Sequence, residues 1–112
     1  MKATSLGEFE EIVLLTVGTL HDEAYGVLIR RELEARIGRK VNISAVHSVL
    51  YRLEDKGFVS SRMGEATHKR GGKRKKYFQV TAFGMRALRD ARELRTSLWN
   101  ALPKILLEGG AS

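Results

Sequence analysis

The segment HKRGGKRKKYFQVT, residues 68–81, contains a dense group of cationic side chains and no acidic one. Such clusters bind polyanions, and the phosphates of nucleic acid are the commonest case. The glycine pair inside the cluster lets a loop come close to a sugar-phosphate chain. No Lys-Ser/Thr follows it, so it is not a nucleotide-binding phosphate loop. We assign DNA contacts to Lys69, Arg70, Gly71, Gly72, Lys73, Arg74, Lys75 and Lys76; a solvated basic loop is the alternative.

A second candidate surface lies on the predicted third helix, about residues 45–56, for which Ser44 is the expected N-cap. Its apolar face consists of Val46, Val49, Leu50 and Leu53, at helical spacing. The remaining face offers short or hydrogen-bonding groups, as a helix in a DNA major groove requires. Its candidate contacts are Ser44, Ala45, His47, Ser48, Tyr51 and Arg52. The alternative is an ordinary solvated helix face.

Two further helices and a hairpin must position these surfaces. Apolar spacing predicts helices at about 6–20 and 24–37, with Ser5 and Glu8 forming a capping box at the first. Gly38 and Gly57 follow predicted helices as stop signals. Residues 58–62 and 76–80 alternate as two strands joined by the basic loop, and Thr81 caps a fourth helix. The predicted fold is mainly α with a small β-hairpin, a winged helix-turn-helix.

Composition supports one small globular domain. The chain has 112 residues, a formal net charge of +7, 43% hydrophobic residues and no cysteine, so a disulfide or thiolate metal site is excluded. No apolar run approaches the ~20 residues of a membrane span, and we expect a soluble cytoplasmic protein that needs no cofactor. Domain boundaries are predicted at 1–81 for the winged helix, with its wing at about 58–80, at 82–107 for a C-terminal dimerisation helix, and at 108–112 for a flexible tail.

The C-terminal helix has the spacing of a dimer seam. Gly84, Ala87, Ala91, Leu94, Leu98 and Ala101 alternate by three and four residues, as in a short coiled coil. The predicted interface is Ala87, Ala91, Leu94, Leu98 and Leu102, and Pro103 is expected to end or kink the helix near residues 100–102. A core-facing stripe within one chain is the alternative. Trp99, at the edge of the seam, would fill the interface or contact a flat hydrophobic ligand.

Four segments together resemble the PadR family of bacterial transcriptional regulators. They are LGEFEEIVLLTV, AYGVLIRRELE, ISAVHSVLYRLEDKGFVSS and RGGKRKKYFQVTAFGMRAL, and they cover most of residues 6–88. The resemblance implies a homodimeric winged helix that binds a palindromic DNA operator, usually as a repressor released by a ligand or a stress signal. It also implies DNA contacts from the third helix and the wing, and a dimer built by the first and last helices.

The chain departs from this family pattern at two positions of the third helix. Many relatives have tyrosine where this chain has His47, and glycine where it has Ser44. Histidine at this position would make a DNA contact pH-dependent, or would act as a neutral hydrogen-bonding substitute. The C-terminal region is short, as in the compact members, some of which use an aromatic residue on this helix to stack on flat ligands.

Other functions fit the residues less well. His21, His47 and His68 fall in a loop, a helix and the wing, without the spacing of metal ligands, and no nucleophile motif suggests an enzyme. A membrane-surface protein would need a continuous cationic amphipathic helix. An RNA-binding module or a protein-interaction adaptor stays open as the runner-up, although A-form RNA hides its major-groove edges from a helix.

Overall fold

Helices and one hairpin follow each other in the order that the sequence predicts; the computed structural model describes residues 6–65 and 74–109. The elements are α1 (Glu8–Leu20), a 3₁₀ turn (His21–Glu23), α2 (Gly26–Ile37), α3 (Ile43–Asp55), β1 (Val59–Met63), β2 (Lys76–Val80), α4 (Ala82–Asn100) and α5 (Lys104–Leu107). The predicted winged helix-turn-helix is confirmed.

The core lies between α1, α2, α3 and the hairpin. All four apolar residues predicted on α3 are buried, and Phe58, at the start of the hairpin, is completely buried among them. The strands β1 and β2 pair antiparallel, from Val59 opposite Val80 to Met63 opposite Lys76. The Phe78 amide donates to the Ala24 carbonyl at 2.8 Å. The segment before α2 therefore pairs with β2 through an isolated antiparallel bridge.

The ends of α1, α2 and α3 differ from the prediction by one to two residues. Gly7, not Ser5, is the N-cap of α1, and the Glu10 carboxylate, not that of Glu8, accepts from the Gly7 amide at 2.9 Å. Ser5 lies outside the described residues. The predicted N-cap Ser44 is wrong, because Asn42 caps α3 and accepts from the Ser44 amide at 2.7 Å. Asn42 takes the N-cap position because its amide oxygen accepts from a backbone amide of the first turn that has no partner within the helix.

Glu10 joins α1 to α3 through a buried carboxylate. Its side chain is only 9% exposed, and it accepts hydrogen bonds from Lys56 Nζ at 2.8 and 3.0 Å and from Arg52 Nε at 3.2 Å. Burial opposes the charged form, but the hydrogen bonds from Lys56, Gly7 and Arg52 outweigh it and hold the pKa of Glu10 below its usual value. The carboxylate therefore fixes α3 against α1.

The fourth helix packs on the domain only along its first turns. Thr81 caps it by accepting from the Gly84 amide at 2.9 Å, as predicted, while its hydroxyl donates to the Gly57 carbonyl at 2.7 Å. Gly84, Ala87 and Leu88 are buried, and every residue from 92 to 109 is exposed. The molecule is consequently elongated, with extents of 60 × 32 × 20 Å.

The C-terminal segment at 82–107 consists of two helices. As expected from Pro103, α4 ends at Asn100, and residues 104–107 form the separate short helix α5, whose N-cap is Pro103. Proline lacks the amide hydrogen and its ring clashes with the preceding turn, so the chain restarts after it.

Gly84 provides a sensitive test of the contact between α4 and the hairpin. A methyl group at this position would collide with the carbonyl of Phe58, which is backbone and cannot rotate away. We expect Gly84→Ala to lower the free energy of unfolding by about 1–3 kcal/mol, measured by urea denaturation.

The control is Gly18→Ala, an exposed site inside α1 where an added methyl makes only an ordinary 3.6 Å contact with Val80. It should raise stability by about 0.5–1 kcal/mol through helix propensity. Equal effects of the two changes would contradict the close approach.

The hydrogen bonds that Glu10 accepts from Lys56 and Arg52 should make the stability of the fold depend on pH. Glu10→Gln removes the charge that Lys56 and Arg52 bind, so the free energy of unfolding at pH 7 should fall by about 1–3 kcal/mol. Because the folded-state pKa is depressed, the wild-type advantage is complete above the ordinary carboxyl pKa and is lost as pH falls through the folded-state pKa. The two denaturation curves should therefore converge in acid. Glu8→Gln, at an exposed position of the same turn, is the matched control and should change stability less; a constant Glu10→Gln difference down to pH 2 would be contrary evidence.

Candidate nucleic-acid interface

The outward face of α3 includes the six residues that the sequence assigns to DNA contacts, together with Asp55 in the last turn. Ser44, Ala45, His47, Ser48, Tyr51 and Arg52 are all exposed, and the face behind them is fully used by the core. Along its first two turns this surface carries mainly hydroxyl, methyl and imidazole groups. A backbone covered by such short side chains can approach base edges closely.

Arg52 is positioned differently from the other five residues. Its Nε donates to the buried carboxylate of Glu10, at the side of α3 that faces α1. Its side chain is still 56% exposed. The guanidinium group is therefore held at one nitrogen, and Arg52 contributes both to the contact between α3 and α1 and to the exposed face of α3.

The predicted wing cations that the structure describes each contact a neighbouring part of the protein. Arg74 Nε donates to the Gly64 carbonyl at 2.7 Å and closes the hairpin, while Lys75 Nζ lies 4.3 Å from the centre of the Tyr25 ring. Lys76 lies in β2, with Nζ 3.6 Å from a Glu54 oxygen and 5.1 Å from the centre of the Tyr51 ring. The predicted contacts Lys69, Arg70, Gly71, Gly72 and Lys73 lie outside the described residues.

Glu54 joins the wing to α3. One carboxylate oxygen accepts from the Ser61 hydroxyl of β1 at 2.6 Å, and the other faces Lys76 of β2. Both strands are thus linked to a single side chain of α3. The wing and α3 are held as one surface.

Two tyrosine rings and two cationic side chains form a row at the base of the wing. Tyr25 and Tyr77 meet edge to face, with ring centres 5.6 Å apart, and Arg62 lies 4.7 Å above the Tyr77 ring. Together with Lys75 over Tyr25, they form a row of two rings between two cations. Contacts of a cation with an aromatic face contribute about 0.5–1 kcal/mol at exposed sites. The row fixes the base of the wing against the start of α2.

A cleft of about 160 Å³ opens between the start of α2, α3 and β2. Tyr25, Gly26, Val27, His47, Leu50, Tyr51, Lys75, Lys76 and Phe78 line it. The His47 ring packs directly on Gly26: a methyl group placed there would be 2.6 Å from His47 Nε2. The cleft is therefore basic and aromatic, and it adjoins the outward face of α3.

The other candidate surface is the C-terminal arm, residues 94–107. Leu94, Leu98 and Trp99 are each more than 60% exposed, and Leu102, Ile105, Leu106 and Leu107 continue the apolar surface. Of the predicted interface residues, Ala87 is only 3% exposed because it packs in the core of its own chain, so it has almost no surface left for a partner. Ala91 is half-buried. Arg95 at the base of the arm donates to Glu11 of α1 at 2.8 Å.

Two features are absent from the described part of the chain, a membrane-spanning helix and a cluster of metal-ligating side chains. No helix within residues 6–65 and 74–109 is both long and apolar enough to cross a membrane. Over the same ranges, no group of three histidine, aspartate or glutamate side chains is arranged to hold a metal ion.

Sequence reasoning missed three residues that organise this interface: Glu10, Tyr25 and Glu54. Glu10 had a readable signal, since it lies three, four and seven positions before Val13, Leu14 and Val17 on the buried stripe of α1. A carboxylate in such a position requires a cationic partner. Tyr25 falls within the helix predicted at 24–37, but it precedes α2 and pairs with Tyr77. No local pattern distinguishes Glu54.

Comparisons with known proteins agree with this architecture. The model of the transcriptional regulator PadR-like family matches residues 13–90. A complex structure of hsRosR-S1 is 26% identical with a TM-score of 0.71, over 91% of this chain and 83% of that one. RosR from H. salinarum is 27% identical with a TM-score of 0.68, over 88% and 82%.

A PadR family transcriptional regulator from Eggerthella lenta is 26% identical with a TM-score of 0.66, over 88% of this chain and 86% of that one. No curated protein matches significantly. The family match covers well over half of the chain and includes α2, α3, the wing and the first turns of α4. The chain therefore belongs to the PadR-like family of transcriptional regulators.

Proposed function

We propose that the protein is a homodimeric, sequence-specific DNA-binding regulator in which α3 enters the major groove and the wing contacts the adjacent backbone. The observation that carries the proposal is the exposed face of α3, held by Glu54 beside the cationic wing. A single carboxylate that contacts both strands sets the distance between the two contact surfaces. DNA requires such a fixed distance because its groove and backbone are themselves regularly spaced.

The side chains suit different parts of DNA. Ser44, Ala45 and Ser48 are short enough to let α3 lie deep in the groove, where their groups can meet base edges. Tyr51, 51% exposed, projects from the next turn toward the wing and contacts Lys76. The cations of the wing suit phosphates, which give affinity without sequence preference. A net charge of +7 favours approach to the polyanion.

A second copy of the chain is the proposed partner of the C-terminal arm. An isolated subunit would leave a continuous apolar surface in water, of the kind that marks an interface. Ile12 and Leu15 on the outer side of α1 are 36% and 49% exposed and extend the apolar surface of each subunit. The partner's arm is the proposed cover for Leu94, Leu98 and Leu102. Two winged domains related by a twofold axis would then bind a palindromic operator.

Family resemblance supplies the regulatory part of the proposal. The dimer would repress transcription from its operator and leave it when a ligand or stress signal acts. Trp99, 62% exposed on the arm, is the proposed contact for a small hydrophobic effector between subunits. Its large flat ring gives such a ligand a stacking surface.

Oligomeric state tests the arm. We expect Leu94→Asp/Leu98→Asp to give a monomer, because two carboxylates would be buried without partners in the seam, and light scattering measures the mass directly. Arg92→Asp/Thr96→Asp is the matched control, with the same four-residue spacing on the opposite side of α4. It should stay dimeric. A Leu94/Leu98 variant that remains a dimer would remove the seam from the interface.

Paired variants test the division between base reading and phosphate binding. Tyr51→Ala should weaken binding to duplex DNA from the protein's own promoter more than binding to random DNA, by about 1–3 kcal/mol if the tyrosine reads a base. Lys75→Ala should weaken both equally and flatten the salt dependence by about 0.9 slope units if the ammonium group neutralises one phosphate. Gel shifts at several salt concentrations measure both effects, with matched duplex RNA as the control for the runner-up function. Equal losses for Tyr51→Ala on all duplexes, or tighter binding to the RNA, would speak against the proposal.

A further inference from the structure

The basic cleft beside α3 contains a titratable group, His47, whose protonation the proposed function does not specify. Its lining includes two lysines, two tyrosines and His47, and among the described residues no carboxylate lines it. Within residues 6–65 and 74–109 no side chain or backbone group hydrogen-bonds to the His47 ring. An imidazole with no hydrogen-bond partner among the described residues, in a cleft with two ammonium groups, is arranged for an anionic ligand from outside.

The position of the imidazole is fixed by packing. His47 Nε2 lies against Gly26 at the beginning of α2, and the ring meets Tyr51 edge to face at 6.4 Å between centres. These two contacts keep the imidazole at the wall of the cleft. A side chain at residue 26 would occupy the same space, so the glycine is what admits the ring.

The surroundings define what could bind. The titratable groups that share the cleft with His47 are Tyr51 on its own helix, Tyr25 before α2, and Lys75 and Lys76 on the wing. Lys75 is held over the Tyr25 ring, and Lys76 between Tyr51 and Glu54. Cations held at the wall of this cleft can pair with the charged oxygens of a phosphate group. The cleft adjoins the recognition face, where a DNA backbone would pass.

We propose that this cleft binds one phosphodiester of the DNA backbone and that His47 takes up a proton from solvent when it does. The inference rests on the proposed DNA binding. A phosphate beside an imidazole favours the charged form, which donates from both ring nitrogens. Imidazoles change charge between pH 5 and 8. DNA affinity is therefore linked to pH in the physiological range.

The linkage has a definite sign and size. Because the complex binds more protons than its free components, affinity is highest at low pH and falls as pH rises. The limit is about tenfold per pH unit for each proton taken up. We expect fluorescence anisotropy with the promoter duplex, at fixed ionic strength between about pH 5.5 and 8.5, to show this decline for the wild type and a flat profile for His47→Gln. His21→Gln, at an exposed residue in the turn after α1, is the control and should keep the decline.

A second variant separates position from chemistry. Gly26→Ala should displace the His47 ring, whose far end can rotate away, so stability measured by urea denaturation should be retained. Its pH profile should flatten toward that of His47→Gln. A His47→Gln protein with an unchanged pH slope would overturn the inference.

Nuclear magnetic resonance identifies the ligand. The titration midpoint of the His47 ring proton should move to higher pH on addition of duplex, and inorganic phosphate at the same ionic strength should not reproduce the shift. An equal shift with inorganic phosphate would indicate a free-anion site and overturn the assignment to the DNA backbone. Duplex binding that is independent of pH would contradict this inference alone, whereas failure to bind any duplex at any pH would contradict the proposed function with it.

Discussion

The buried carboxylate of Glu10 is the constraint on which the arrangement of the helices depends. A negative charge with 9% of its side chain exposed is unfavourable unless cations come to it, and α3 and the residue that follows it supply Arg52 and Lys56. The rotation of α3 about its own axis is thereby restricted, because only one rotation presents both cations to α1. That rotation leaves Ser44, Ala45, His47, Ser48 and Tyr51 facing outward.

Glu54 and Thr81 extend this constraint to the rest of the molecule. Glu54 contacts both strands of the wing, while Thr81 connects the end of the hairpin to the turn after α3 and to the first turn of α4. On α1, the residue after Glu10 is Glu11, which binds Arg95 at the base of the C-terminal arm. The adjacent carboxylates of Glu10 and Glu11 therefore connect α1 to α3 and to the C-terminal arm. The orientation of the arm is consequently related to the orientation of α3.

Much of this architecture could be predicted because it depends on local patterns. The apolar spacing of Val46, Val49, Leu50 and Leu53 indicated the buried side of α3, and Gly38 and Gly57 take positive φ values of 84° and 82°, as helix stops often do. The N-caps of α1 and α3 were misplaced, because Ser5 and Gly7, like Asn42 and Ser44, are competing cap residues two positions apart. The roles of Glu54, Tyr25 and Lys76 depend on partners distant in sequence, and no periodicity encodes such pairs.

The central claim is that two rigid winged domains, related by twofold symmetry, bind a specific duplex. Selection from a pool of random duplexes by the purified protein tests it most directly, because the enriched sequences report specificity and symmetry together. A dimer with twofold symmetry should select an inverted repeat whose half-sites are separated by about one helical turn of DNA, roughly 10 base pairs, or a multiple of it. Enrichment of no sequence, or of a single half-site without a symmetric partner, would contradict the account.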